Sequence, residues 1–367
     1  MAATDLILLV AGLGLLIIGG EALVRAASSL ALKAGVTPLV IGLVVVSAAT
    51  SAPEFAVTLD AVIGGEPGLA VGNVVGSNIV NVLFILGLSA VFLPLLIQKQ
   101  IVRFDIPVMV ALSFLVLLVS LDRSISRFEG ALLFAGVIFH FIVSIRVGRK
   151  AAASNDETEK DQSSSAPLKT WIAIPLLVGA IALLAFGARL LVSGATNIAT
   201  GLGVSGLIVG LTVVAVGTSL PELVTSLIAI RRGERDMAVG NIVGSNIFNI
   251  GFVLGLPAIL VSGGIPIPSA AISVDIPIMI AAAVALLPIT FTGFAIARWE
   301  GGLFVLVYIA YIVFLVFDAT GHDAATGFSN IMLWFVLPLI AATLIALTAY
   351  EIGLIRGKQL ARREKEV

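Results

Sequence analysis

Two glutamates carry the chemistry this sequence can do. Glu54 and Glu222 each follow a proline inside a long apolar run. A carboxylate at membrane depth is costly, and where it persists it marks an ion or proton path. Beside it, Ser47, Thr50, Ser51, Glu54 and Thr58 fall at helical spacing along one face. Ala215, Thr218, Ser219, Glu222 and Ser226 repeat the pattern. Pro53 and Pro221 each remove a helical hydrogen bond and displace the carbonyl four residues back, that of Ala49 or Gly217. A freed carbonyl in a bilayer needs a partner, and a cation can be one. Downstream, GNVVGSN…N and GNIVGSN…N put Asn73, Ser77 and Asn81, then Asn241, Ser245 and Asn249, four residues apart. An isolated Ser or Thr in a membrane helix usually bonds its own backbone, and an isolated GxxxG is usually packing. Here they recur around paired acids. Carboxylate, hydroxyl and amide oxygens together suit a hard cation such as Ca2+, Na+ or Mn2+, not copper or zinc. The two histidines, His140 and His322, lie outside these stretches.

These residues belong to a duplication. Residues 42–90 and 210–258 align without a gap at an offset of 168, with 27 of 49 positions identical, so the two halves share one fold. Phe104–Met109 (FDIPVM) is matched by Val274–Met279 (VDIPIM), and RFEGAL at 127–132 by RWEGGL at 298–303. The small-xxx-small glycines Gly72 and Gly76, and Gly240 and Gly244, predict close helix approach.

Composition fixes the class. The chain is 59% hydrophobic and 12% charged, with a mean hydropathy of +1.16, which makes it a polytopic membrane protein. Eleven spans are predicted, at 5–31, 37–63, 69–96, 105–121, 128–147, 171–200, 204–230, 237–262, 273–296, 301–317 and 331–353. With the N-terminus outside, 18 of 21 basic residues fall on the inner side, and only Arg123, Arg127 and Arg189 lie outside or near the outer ends. The opposite orientation reverses that ratio. The expectation is a multi-pass protein of the cell membrane with its C-terminus in the cytoplasm.

Spans one to five correspond to spans six to ten. Five is odd, so the halves are inverted, an arrangement that builds secondary transporters with a site at the repeat interface. The predicted fold is thus all-α: two inverted five-helix repeats forming a ten-helix core, plus an eleventh C-terminal helix. The first repeat is placed at 1–147, a polar cytoplasmic linker at 148–169, the second repeat at 170–318, and an accessory helix with a basic tail at 319–367. Asp105 and Asp275, at the starts of spans four and nine, are read as capping or structural. Glu21 and Arg25 are read as interfacial or paired.

AATSAPE at 48–54, GTSLPE at 217–222 and the two GN(V/I)VGSN blocks resemble the alpha-repeats of the prokaryotic sodium/calcium exchangers, in the calcium/cation antiporter superfamily. The resemblance covers spans one to ten. It implies Glu54 and Glu222 as central calcium ligands and Thr50 and Thr218 as donors of backbone oxygens. It further implies Ser51, Ser219, Ser77 and Ser245 at sodium sites, with Asn81 and Asn249 completing the centre. Ser47 and Ala215, on the same helix faces, complete the candidate set. Many members carry aspartate where Asn249 stands, so this centre holds two formal negative charges and not three.

The expected function is antiport of Ca2+ against Na+ by alternating access. A proton-coupled calcium antiporter would use the same residues. A channel fits less well, because the acids are paired in an inverted repeat and not arranged in a ring of subunits. No serine–histidine or metal–histidine constellation supports an enzyme. Expected partners are Ca2+ and Na+, with K+ or H+ as further candidates, and the lipid bilayer. No cofactor and no nucleic acid is expected.

Overall fold

In lipid every backbone polar group must be satisfied within its own segment, so the long apolar runs become helices. The computed structural model describes residues 3–154, 168–204, 209, 212–213, 215–291, 294–322, 324–343, 345–346, 349–350 and 353. In order the helices are α1 (Ala3–Ala34), α2a (Pro38–Thr50), α2b (Ala52–Ile63), α3 (Pro67–Phe92), α4 (Ile101–Val119) and α5 (Arg127–Ser154). The second half holds α6 (Thr170–Gly201), α7a (Ala215–Thr218), α7b (Leu220–Arg231), α8 (Arg235–Leu260), α9 (Ala271–Ile289) and α10 (Arg298–Ala319). α11 (Ala324–Thr343) follows. It starts seven residues before the expected 331 and packs along α10, with no residue buried among those described.

α5 also runs further than expected. It continues through Arg149–Ala153, a run of strong helix formers, to Ser154, inside the segment read as a linker. Residues 155–167, the bulk of that segment, lie outside the described residues, as does the basic tail from 354.

The inversion is visible in how the loops pair. β1 (Leu95–Leu96), between α3 and α4, pairs antiparallel with β4 (Ala295–Ile296), between α9 and α10. β2 (Ser124–Ile125), between α4 and α5, pairs with β3 (Ile265–Pro266), between α8 and α9. Each pair joins loops that an odd number of spans per repeat places on the same side. The two repeats are thereby latched to each other at both ends of α3–α5 and α8–α10.

α1 and α6 lie outside these latches and pack along each other. Their approach depends on glycine. A Cβ on Gly12 would sit 2.7 Å from the Gly187 carbonyl oxygen, and one on Gly187 would sit 2.9 Å from that of Gly12. The α2a–α8 contact is as tight: a Cβ on Gly244 would lie 2.4 Å from the Leu43 carbonyl oxygen, and one on Gly240 2.7 Å from that of Leu39. The small-residue pattern of the second repeat therefore does what its spacing predicts. The repeat counterparts of Leu39 and Leu43, Leu207 and Leu211, lie outside the described residues.

Candidate cation site

Pro53 and Pro221 do not kink continuous helices. The helix breaks at Ser51, where α2a and α2b meet at 44°. Ser51 adopts φ −82, ψ 7, and its repeat mate Ser219 adopts φ −90, ψ 9. Each proline then stands in the first turn of a new helix, where its missing N–H costs nothing. Glu54 and Glu222 are the third residues of those new helices. A carboxylate there meets the positive end of the helix dipole, which lowers the cost of holding charge at this depth.

Both glutamates are fully buried, at 0% exposure. The two halves are cross-strapped at this point. Ser51 Oγ donates to Glu222 Oε1 at 3.2 Å, and Ser219 Oγ donates to Glu54 Oε1 at 3.4 Å. The serine that begins each half-helix thus holds the glutamate of the other repeat. The remaining oxygens, Glu54 Oε2 and Glu222 Oε2, are buried without a hydrogen-bond partner.

α3 and α8 form the opposite wall. Both widen by an extra residue per turn just where the ligand-type amides stand, at Val80–Leu86 and Asn249–Leu254. Such widened turns recur at functional sites in helices. Asn81 Nδ2 donates to Asn246 Oδ1 at 3.1 Å, and Asn249 Nδ2 donates to Asn78 Oδ1 at 3.1 Å. That leaves Asn81 Oδ1 and Asn249 Oδ1 buried and unpartnered, and Ser77 Oγ likewise. Five oxygens on five of the residues read from the sequence therefore share one property: none has a hydrogen-bond partner among the described residues.

Other predicted residues are spent differently. Ser47 Oγ donates to its own helix at Leu43 O, 2.6 Å away, as an ordinary membrane-helix serine does. Thr50 Oγ1 donates to Asn241 Oδ1 at 3.2 Å and lies 3.5 Å from Ser245 Oγ. Asn73 and Asn241 work behind the site and do not line it. Asn73 Nδ2 bonds Glu54 O at 3.0 Å and Thr58 Oγ1 at 2.9 Å, and Asn241 Nδ2 bonds Ser226 Oγ at 3.1 Å. Thr218 is half-buried at the end of α7a. Ala215 begins α7a, and its side chain lies outside the description.

Sequence reasoning missed Asn78 and Asn246, which stand off the four-residue stripe that singled out their neighbours. It also missed the partner of Asp105. Asp105 makes no capping bond. It lies against His140 Nε2 at 2.8 Å and accepts from Ser144 at 3.2 Å, all three buried. Asp275 instead accepts from Tyr311 at 3.1 Å, and Tyr311 is the repeat counterpart of His140. Both acids are structural partners of the following helix. Glu21 pairs with Arg232, tying the middle of α1 to the end of α7b.

Similarity to known proteins gives the family. The family model described as sodium/calcium exchanger protein matches residues 4–146 and 172–317, most of the chain. The chain belongs to the sodium/calcium exchanger family. It is a multi-pass membrane protein of a cation/Ca2+ antiport family. Sodium/calcium exchanger MaX1 of Methanosarcina acetivorans is 31% identical over 353 residues, 86% of this chain and 100% of that one. Inner membrane protein YrbG of Escherichia coli is 37% identical over 266 residues, 70% of this chain and 80% of that one. A solved structure of the sodium-calcium exchanger NCX_Mj superposes with a TM-score of 0.71 at 28% identity, covering 85% of this chain and 99% of that one.

Proposed function

We propose that this protein exchanges Ca2+ for Na+, with Glu54 and Glu222 as the shared acidic ligands. The observation that carries the reading is the set of unpartnered buried oxygens: Glu54 Oε2, Glu222 Oε2, Ser77 Oγ, Asn81 Oδ1 and Asn249 Oδ1. A buried polar atom without a partner costs free energy, and a hard cation satisfies several oxygens at once. Ser51 and Ser219 bond the glutamates and Ser245 lies against Thr50; Thr218, Ser47 and Ala215 complete the proposed set.

Two carboxylates neutralise one Ca2+, or two Na+. Because the same oxygens serve either load, the ions compete. Loaded, the pair is screened and the helices can move around it. Empty, two bare carboxylates in a dry site repel each other and oppose closure. Exchange follows without a separate gate. The moving part in this reading is α1 with α6, zipped to each other by glycine and free of the strand latches that hold α3–α5 to α8–α10. Proton coupling remains the second reading, since a carboxylate pair also takes protons; the two serine straps and the neutral amide oxygens favour metal cations.

The reading predicts competition at one site. In purified protein the apparent dissociation constant for Ca2+ should rise steadily as Na+ is added. A constant that ignores Na+ while the protein still binds Ca2+ sinks the shared-site account.

We place the N-terminus outside and the C-terminus in the cytoplasm of the cell membrane, on the distribution of basic residues. The repeats are assigned to 1–147 and 170–318, with 148–169 as linker and 319–367 as an accessory helix and tail. Cysteines introduced at Ser163 and Lys365 should react with an impermeant reagent only from the cytoplasm, and one at Gly264 only from outside. Positions 163 and 365 lie outside the described residues. Labelling of residue 365 from outside would invert the assignment.

A further inference from the structure

An asparagine amide has two ends of almost equal shape and opposite polarity. Facing a cation, the oxygen binds and the NH2 repels. Nothing within Asn81 or Asn249 chooses between them. We infer that Asn246 with Met109, and Asn78 with Met279, fix which end of the Asn81 and Asn249 amides faces the cation; the inference rests on reading those two asparagines as ligands.

The argument starts from the sulfur. A thioether carries no hydrogen and can only accept. Asn246 Nδ2 points at Met109 Sδ, 3.4 Å away, so the Asn246 oxygen must face the other way. There it accepts from Asn81 Nδ2 at 3.1 Å. With its NH2 committed, Asn81 turns Oδ1 to the site, where it is buried and unpartnered. The other repeat runs the same chain. Asn78 Nδ2 points at Met279 Sδ, 3.6 Å away, and also donates to Asn246 O at 3.3 Å. Asn78 Oδ1 accepts from Asn249 Nδ2 at 3.1 Å, and Asn249 Oδ1 is left for the site.

Every member has its counterpart. Asn78 and Asn246 are equivalent in the duplicated stretch, and Met109 and Met279 close the matched FDIPVM and VDIPIM segments. The braces cross between repeats, since the asparagine of α3 is held by α8 and the reverse. Buried groups of this kind behind a ligand commonly set its orientation and basicity. The four are positioning residues: Asn246 and Asn78 touch the ligand amides, and Met109 and Met279 act through those two asparagines.

The test is the KM for Ca2+ uptake into liposomes for Asn246→Ala and Asn78→Ala, with unfolding of the detergent-solubilised protein as a control. Loss of such an outer partner typically weakens metal binding by about 10- to 100-fold, and a rise of that order is expected in each variant. Adding Asn81→Asp to Asn246→Ala, or Asn249→Asp to Asn78→Ala, should recover most of the loss. A carboxylate presents oxygen whichever way it turns. Merely structural braces would leave the double variants as impaired as the single ones, and that result overturns the inference. So does a wild-type KM in both single variants. Asn81→Ala separates the layers. If it raises KM while Asn246→Ala does not, only the brace fails; if neither does, the ligand reading of Asn81 fails with it. Should the alanine variants not fold, Met109→Leu keeps the volume and removes only the acceptor. It should raise KM in the same direction by less, and an unchanged KM there refutes the role given to the sulfur.

Discussion

Glu54→Gln and Glu222→Gln should each abolish calcium exchange while leaving the protein folded. Both side chains are fully buried, and the two repeats place them where each accepts a serine from the other half. Glutamine keeps an oxygen for that serine, so the strap survives. What disappears is one of two formal charges facing the cation. At an effective dielectric near 20, one unit-charge interaction at about 4 Å is worth about 4 kcal/mol, or roughly a thousandfold in affinity. Stability moves the other way. With no cation bound, two buried carboxylates repel each other across the site, so removing one relieves the fold. The check is radiolabelled Ca2+ uptake alongside a thermal unfolding curve for each variant. Uptake near wild type in either would remove that glutamate from the site. Loss of uptake with a collapsed unfolding midpoint would point to a structural role.

Gly244→Val should be almost as damaging, by a different route. Gly244 is buried where α8 crosses α2a, and its missing Cβ would fall 2.4 Å from Leu43 O and 2.7 Å from Leu43 Cα. Those are backbone atoms, so no side-chain rotation relieves the clash and the helices must separate. Overpacking of this kind costs about 1–3 kcal/mol or more. Here it also displaces Ser245, next in sequence, from Thr50, its neighbour across the contact at 3.5 Å. The expected result is a lowered unfolding midpoint and loss of exchange. Gly14→Val on α1 is the control, because nothing described lies within 4 Å of its added Cβ. Equal behaviour of the two variants would show that the α2a–α8 approach is not what fixes the site.

The duplication explains why so much was legible beforehand. Two matched acids after two matched prolines, in spans that cannot afford stray charge, leave few readings other than a paired ion site. Spacing also named Ser77, Asn81, Ser245 and Asn249, because a four-residue period gathers them on one stripe. Spacing failed where side chains choose partners across the fold. Asn73 and Asn81 share that stripe, yet Asn73 turns back to Glu54 O and Thr58. Asn78 lies off the stripe and still reaches Asn249, which begins the widened turn of α8. Ser47, on the same face as Glu54, donates to its own helix. His140 lies 35 residues from Asp105, and no local pattern links them. Spacing reads each proline as removing a hydrogen bond within a helix; in the structure each stands in the first turn of a new half-helix, whose N-terminus carries the carboxylate.

The most direct test of the central claim is radiolabelled Ca2+ uptake into proteoliposomes loaded with Na+, with K+, or with a proton gradient of equal size. The account predicts uptake from Na+-loaded vesicles that stops when the Na+ gradient is dissipated, and no uptake without a counter-ion inside. Uptake that needs no counter-ion would make the protein a channel, and uptake driven by the proton gradient but not by Na+ would contradict sodium coupling.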